Sequence, residues 1–343
     1  MEYIIFLFTI FFAYLFLINF YLKKNEIFLD KASVSENHKL LLNKKGDKIP
    51  LSGFFYFIPV VFLILFNDNF ITLLLCLTLF AVGVLSDIKI LTSPKIRLLV
   101  QFILLFVYVY INDQIIIDTR IIILNELMNF DLLRVLIITF FFLVLINGYN
   151  FIDGVNNLSS INFLIVIFFL CLLSNDLNLN FYNNKIELLI ISLVVFICLN
   201  FFGKNYLGDG AVYGLSFLIG YMAINISLLD DKISPYFIAN LLWYPAFENL
   251  FSIIRRSFYK KKNYLPDNAH LHQMLYKFLK NKNLIKKNFL LSSSSGILIN
   301  LYLFSTSYVG YIYYSQTKTL ICLLIVNICL YIIFYQLFKT RLK

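Results

Sequence analysis

Charge is what this sequence has least of. Only 14% of its 343 residues are Asp, Glu, Lys or Arg, while 60% are hydrophobic. A soluble domain carries about 25% charged residues, so a molecule solvated by water on all sides is excluded. Cysteine is sparse too: Cys76, Cys171, Cys198, Cys322 and Cys329 all fall inside apolar runs. None has metal-ligand spacing, which excludes a cysteine zinc site and a disulfide framework and leaves apolar packing. The first apolar run lacks a basic leader and a small-residue cleavage site, so it is expected to stay in the protein as a span. The interiors of the apolar runs show no charge. Ion-coupled transporters keep ionisable groups near the membrane midplane, so this absence argues against a secondary transporter.

What is present is a series of apolar runs: about 3–22, 51–66, 70–85, 97–111, 133–147, 160–174, 186–202, 211–228, 236–253, 288–313 and 318–338. Runs of about 17–25 residues are the length that crosses a bilayer as helix. Several are short, so ten to twelve spans around a count of eleven are expected. The fold class is all-α, a polytopic integral membrane protein forming a single transmembrane domain over 1–343. Basic residues sort by loop. One alternating set, residues 23–50, 86–97, 148–159, 203–210, 254–287 and the C-terminal tail, holds 24 of the 29 Lys and Arg. Positive loops face the cytoplasm, so the N-terminus is expected outside and these loops inside. The net charge of +10 therefore reflects topology, with no nucleic acid implied.

The same loops carry the unusual polar chemistry. In "GVLSDIKILTSPKIRLLVQF" (83–102), Ser93 and Pro94 mark a helix start. Asp87 ends the preceding span, where the helix dipole disfavours an anion by about 0.3–1 kcal/mol. In "LINGYNFIDGVNNLSS" (145–160), Asn147, Asn150 and Asp153 recur every three residues and share one broad helix face. In "NYLGDGAVYGLSF" (205–217), Asp209 between two glycines suits either an N-cap or a Mg2+ ligand. In "ENLFSIIRRSFYKKKNYLPDNAHLHQMLYK" (248–277), His270 and His272 are two apart, which is not zinc-protease spacing. Beside Arg255 and Arg256 they suit phosphate binding, and Lys260–Lys262 suit anionic headgroups. Residues 37–55 add Lys48, Pro50 and Gly53 ahead of the second span, as a nucleotide- or phosphate-binding edge.

In this order, from about residue 38 to 280, these stretches resemble the polyprenyl-phosphate N-acetylhexosamine-1-phosphate transferase family (glycosyltransferase family 4), related to phospho-MurNAc-pentapeptide transferase. The matching residues are Lys48, Pro50 and Gly53; the Asp87 loop; Asn147, Asn150, Asp153 and Gly154; Gly208 and Asp209; and Arg255, Arg256, His270 and His272. The resemblance implies transfer of a sugar 1-phosphate from a UDP-N-acetylhexosamine to undecaprenyl phosphate in a bacterial inner membrane, with release of UMP. It implies Mg2+, or Mn2+ in its place, on Asp209 and Asn150. Asp87 and Asp209 would be catalytic, and Lys48, Asn147, Asp153, Arg255, Arg256, His270 and His272 would bind substrate. It also allows a homodimer. Departures from the family pattern are Ser86 for a first acid, Ser52 for Gly, Gly210 for Ser, Gln273 for a third His and Glu248 for Asp. Ser86 removes one carboxylate from the reaction centre, so a catalytically impaired member serving as a lipid-linked-sugar scaffold is the alternative.

Overall fold

The computed structural model describes residues 2–31, 48–66, 69–112, 118–179, 185–258, 269–283 and 285–342. Lys260–Lys262 and Asp267 of the basic loop, and all of 37–47, lie outside them. Each of the eleven apolar runs forms a helix: α1 (Glu2–Lys24), α2 (Gly53–Leu65), α3 (Phe70–Asp87), α4 (Pro94–Ile111), α6 (Asp131–Ile152), α7 (Leu158–Asp176), α8 (Lys185–Phe201), α9 (Gly208–Leu229), α10 (Pro235–Phe258), α12 (Asn288–Ile312) and α13 (Thr317–Arg341). Two further helices, α5 (Ile122–Met128) and α11 (Leu271–Asn281), lie between them. The described strands are two three-residue pieces, β1 (Leu29–Lys31) and β2 (Lys48–Pro50), paired antiparallel.

Nine of these helices are apolar and 18–25 residues long, enough to cross a membrane. At 1.5 Å per residue they reach about 27–38 Å, which brackets a hydrocarbon core of about 30 Å. The other two runs give α2, with 13 residues, and α8, with 17. Both still carry the chain from one face of the bundle to the other. The backbone N–H groups of Ser52 and Gly53 donate to Tyr206 O at one end of α2, while Ile64 O accepts from Lys185 Nζ, at the start of α8, at the other. Tyr56, Phe57, Val60, Val61, Ile64 and Leu65 are buried while Phe62 and Leu63 are exposed, so protein covers one side of this short helix.

The bundle is built around α9. Every residue from Gly210 to Ile224 is buried, as expected of a helix that is apolar on all sides. Helix α1 is peripheral, with Tyr3, Ile4, Ile5 and Phe6 exposed where acyl chains would lie. Helices α3 and α9 touch backbone to backbone: a Cβ on Gly83 would stand 2.3 Å from Asp209 O. Small residues permit this approach, which gains close packing that larger side chains would prevent. The contact brings the end of α3 against the start of α9.

The two ends of the bundle differ. At one end, Arg120 donates to Ser315 O, Thr317 Oγ1, Asp231 O and Lys232 O, tying three connections together. At the other, the last turns of α3 and α6 meet the first turn of α9 and the β1–β2 ribbon. The loops that sort together by charge, where described, all belong to this second end.

Candidate active site

The second end encloses a cavity of about 650 Å³. Five acids line it, Glu26, Asp30, Asp87, Asp153 and Asp209, with two bases, Lys89 and Arg97. Ser86, Asn150, Asn156, Asn200, Tyr206 and Gln273 complete its polar wall.

Asp209 is the most engaged of these groups. It stands in the first turn of α9. Its Oδ1 accepts from Asn150 Nδ2 at 2.7 Å. Its Oδ2 accepts from Ser86 Oγ at 2.6 Å and from Arg97 Nη1 at 2.8 Å. The same Arg97 nitrogen is 2.5 Å from Ser86 Oγ and 3.4 Å from Tyr213 OH. Four helices therefore converge on one carboxylate: α3 through Ser86, α4 through Arg97, α6 through Asn150 and α9 itself. The N-cap role that Asp209 could have filled belongs to another residue.

That residue is Asp87. Its Oδ1 and Oδ2 accept from the backbone N–H groups of Asp209 and Gly210, each at 3.0 Å. At the end of α3 the carboxylate opposes its own helix dipole, yet it lies at the positive N-terminus of α9. Two of the four N–H groups that a helix start leaves unpaired are satisfied in this way. Gly208 makes room: it adopts φ +76°, and a Cβ there would stand 2.7 Å from Asp87 Oδ2.

The Asn147, Asn150, Asp153 series fans out to three partners. Asn147 Nδ2 donates to Gln101 Oε1 at 3.0 Å in the seam with α4, away from the cavity lining. Asn150 meets Asp209, as above. Asp153 follows the last residue of α6 and accepts from Ser159 Oγ. Burial raises its carboxyl to about 7, Ser159 opposes that rise, and the nearby Asp209 charge adds to it. The asparagines beyond it shape the turn: Asn157, at φ +65°, donates its N–H to Asn200 Oδ1, and Asn156 donates its own to Ser292 Oγ.

The basic motif lies behind this wall. His270 Nδ1 is 2.9 Å from Glu248 Oε1, and its ring stacks near His272, with centroids 5.6 Å apart. A Cβ on Gly154 would lie 2.6 Å from His272 Nε2, so the second histidine backs the cavity wall at Gly154. Burial, with a contribution from His270, lowers His272 to about 3, while Glu248 opposes that fall. The ring is therefore neutral near pH 7. Arg256 lies over the Phe151 ring at 5.5 Å and Arg255 over Tyr335 at 5.9 Å. Lys48 pairs with Glu26, a lining residue, at 2.5 Å.

Of the ten residues singled out from sequence, Asp87, Asn150, Asp153 and Asp209 line the cavity together. Lys48 borders it through Glu26. Asn147, Arg255, Arg256, His270 and His272 are outside its lining. Glu248 differs from its expected place. The apolar runs are expected to be free of charge inside, but α10 continues to Phe258 and encloses Glu248 with no exposure. The interior of the spans is thus not free of charge. Arg97 was legible only as one more basic residue. A signal was available, since a cation in the first turn of α4 opposes the dipole just as Asp87 does at the end of α3.

A divalent cation at this centre would require oxygen donors. Asn150 and Asp209 are paired at hydrogen-bond distance, and turning the amide about its last torsion puts oxygen where nitrogen now stands. A carboxylate and an amide oxygen side by side fit Mg2+. Among the described residues no group of three or more His, Cys, Asp or Glu forms a closed cage. That donor set matches an ion shared with substrate phosphates.

Residues 69–227 match the profile of the family described as Glycosyl transferase family 4. No curated protein matches the chain. The matched segment runs from α3 through α9 and contains Ser86, Asp87, Arg97, Asn150, Asp153 and Asp209 of the cavity lining, while Glu26, Asp30 and Gln273 lie outside it. Over this segment, which is under half of the chain, the protein is similar to glycosyl transferase family 4.

Proposed function

We propose that the protein transfers an N-acetylhexosamine 1-phosphate from a UDP-sugar to undecaprenyl phosphate, releasing UMP, at the cytoplasmic face of a bacterial inner membrane. The observation that carries this reading is the Asp209 centre, bracketed by Asn150, Ser86 and Arg97 in a cavity at one end of an apolar bundle. A lipid headgroup and a soluble nucleotide can meet only where membrane spans end.

In the reaction an oxygen of the lipid phosphate attacks the phosphorus that bears the sugar. A new P–O bond forms, the bridge to the UMP phosphate breaks, and UMP leaves with the electron pair. One pyrophosphate link replaces another, so the chain must supply position and charge neutralisation rather than driving force. Asp209 and Asn150 would hold Mg2+, or Mn2+ in its place, which when bound supplies neutralisation of the phosphate charge. Arg97 adds a fixed positive group at the same centre. With five acids against two bases on the wall, phosphates entering without a cation would be repelled.

Asp87 holds the first turn of α9 and hence the backbone of Asp209, so we place it as a positioning group. A proton-accepting role is not needed, because the second pKa of a phosphate monoester is about 6 and the acceptor is largely ionised at pH 7. Asn156, Asn200 and Tyr206 offer neutral hydrogen-bonding groups suited to the uncharged parts of the donor. Lys48, Arg255, Arg256, His270 and His272 provide cations and donors around the site, from which the phosphates draw.

The test is transfer of label from a panel of UDP-N-acetylhexosamines into undecaprenyl phosphate by the purified protein, with and without EDTA. Metal-dependent transfer that added UMP reverses is expected. No transfer from any donor by folded protein would favour the scaffold reading, for which Ser86 is the specific support.

A further inference from the structure

Glu248 is the most deeply buried charged side chain among the described ion pairs. It stands ten residues before the end of α10, fully enclosed, in a helix otherwise suited to lipid. A carboxylate at such a place is strongly disfavoured by desolvation unless it is paired and hydrogen-bonded. It is both. Oε1 is 2.9 Å from His270 Nδ1, and Oε2 accepts from Tyr331 OH of α13 at 2.7 Å. Ser252 Oγ, one turn along α10, is 3.3 Å from the same His270 nitrogen.

The arrangement does more than neutralise a charge. His270 is the N-cap of α11, and its backbone N–H reaches Gln273, a residue of the cavity wall. Its ring lies between Phe151 of α6, at 5.3 Å, and His272, which backs Gly154. Two aromatic neighbours fix the plane of the ring, and the carboxylate fixes which nitrogen carries hydrogen. Accepting from Nδ1–H holds the ring, and with it the start of α11, against α10. Carboxylate–histidine pairs elsewhere set tautomer and orientation in this way.

Resting on the transferase reading, we infer that Glu248, itself held by Tyr331 of the last helix, is a positioning residue: it fixes the Nδ1–H form and the orientation of His270, the N-cap of α11, and so holds Gln273 in its place on the wall of the reaction cavity. Helices α10 and α13 lie outside the segment that matches the family, so the inference extends the site to the end of the chain.

The sequence makes a direct test practical, since it contains three histidines, His38, His270 and His272. The full chain carrying His38→Asn, labelled with 15N at histidine and reconstituted in lipid, gives two rings to assign. In this background His270 is expected to show Nδ1 protonated. Glu248→Gln keeps the shape and removes the charge. It should redistribute the His270 signals towards the Nε2–H form and lower kcat by about 10- to 100-fold, with a much smaller change in KM for the donor. Tyr331→Phe should act in the same direction by a smaller factor, and Glu248→Asp should restore part of the rate. Unchanged His270 signals in Glu248→Gln would overturn the inference, as would changed signals with an unchanged rate, which would mark the pair as a structural tie. A parent protein that transfers nothing overturns the transferase reading instead, a result distinct from either.

Discussion

Ser86 differs from an aspartate by one charge, and its neighbours indicate where that charge would go. Its hydroxyl already lies 2.6 Å from Asp209 Oδ2 and 2.5 Å from Arg97 Nη1. A carboxylate there would repel Asp209 but would also gain the guanidinium, which can bind two carboxylate oxygens at once. Ser86→Asp is therefore expected to keep turnover within about tenfold of wild type, a change of at most ~1.4 kcal/mol in the barrier. Measured initial rates will decide this, and complete loss of transfer would mean that the centre is built around serine. At this scale the sequence was legible wherever a polar residue interrupted hydrocarbon, as at Asn150, Asp153 and Asp209. It was less legible where the role depends on a partner far along the chain. Asp87 stood out for opposing its own helix, but that it caps α9 follows only from the α3–α9 contact. Glu26 enters the cavity wall through a backbone turn at φ +54°, which no residue pattern announced.

Elements were read more completely than residues. The apolar periods gave the helices, and Ser93–Pro94 marked the start of α4, although the Ser93 side chain makes no cap bond. The short helix α11 was hidden in a loop defined by its basic charge. Its His272 supplies a prediction about stability. An unfolded histidine takes up a proton below about pH 6.5, but the buried ring resists until about 3. The unfolded state thus binds the extra proton between these values, and stability is lost as pH falls through that window by up to ~1.4 kcal/mol per unit. His272→Gln removes the titration. The stability difference between wild type and variant, from denaturation at pH 4.5 and pH 7, is expected to shift against the wild type at the lower pH. Equal differences at both pH values would show that His272 does not charge on unfolding.

At the scale of the whole molecule, eleven helical runs alternate between two ends, and most basic residues belong to the end that holds the cavity. Hydropathy and loop charge sufficed for this, because crossing a bilayer and keeping Lys and Arg on one side are constraints on local composition. The packing order around α9 was not legible, since an all-apolar helix carries no mark of which neighbours bury it. Ile90 and Glu126 are exposed near opposite ends. In intact cells, Ile90→Cys should resist a membrane-impermeant thiol reagent and Glu126→Cys should react. The reverse pattern would turn the molecule over and put the cavity on the wrong side for a cytoplasmic nucleotide sugar.

All of this depends on Asp209 as the point where four helices and the substrates meet. The most direct measurement is sugar-phosphate transfer by Asp209→Asn beside wild type, with both proteins shown to be folded by matching thermal unfolding. The substitution keeps the size of the side chain and removes the charge that Arg97, Ser86 and Asn150 address. Turnover is predicted to fall by at least about 100-fold, the cost typical of losing a group that acts on the transition state. Near-wild-type turnover by folded Asp209→Asn would contradict the account and move the chemistry away from this cavity.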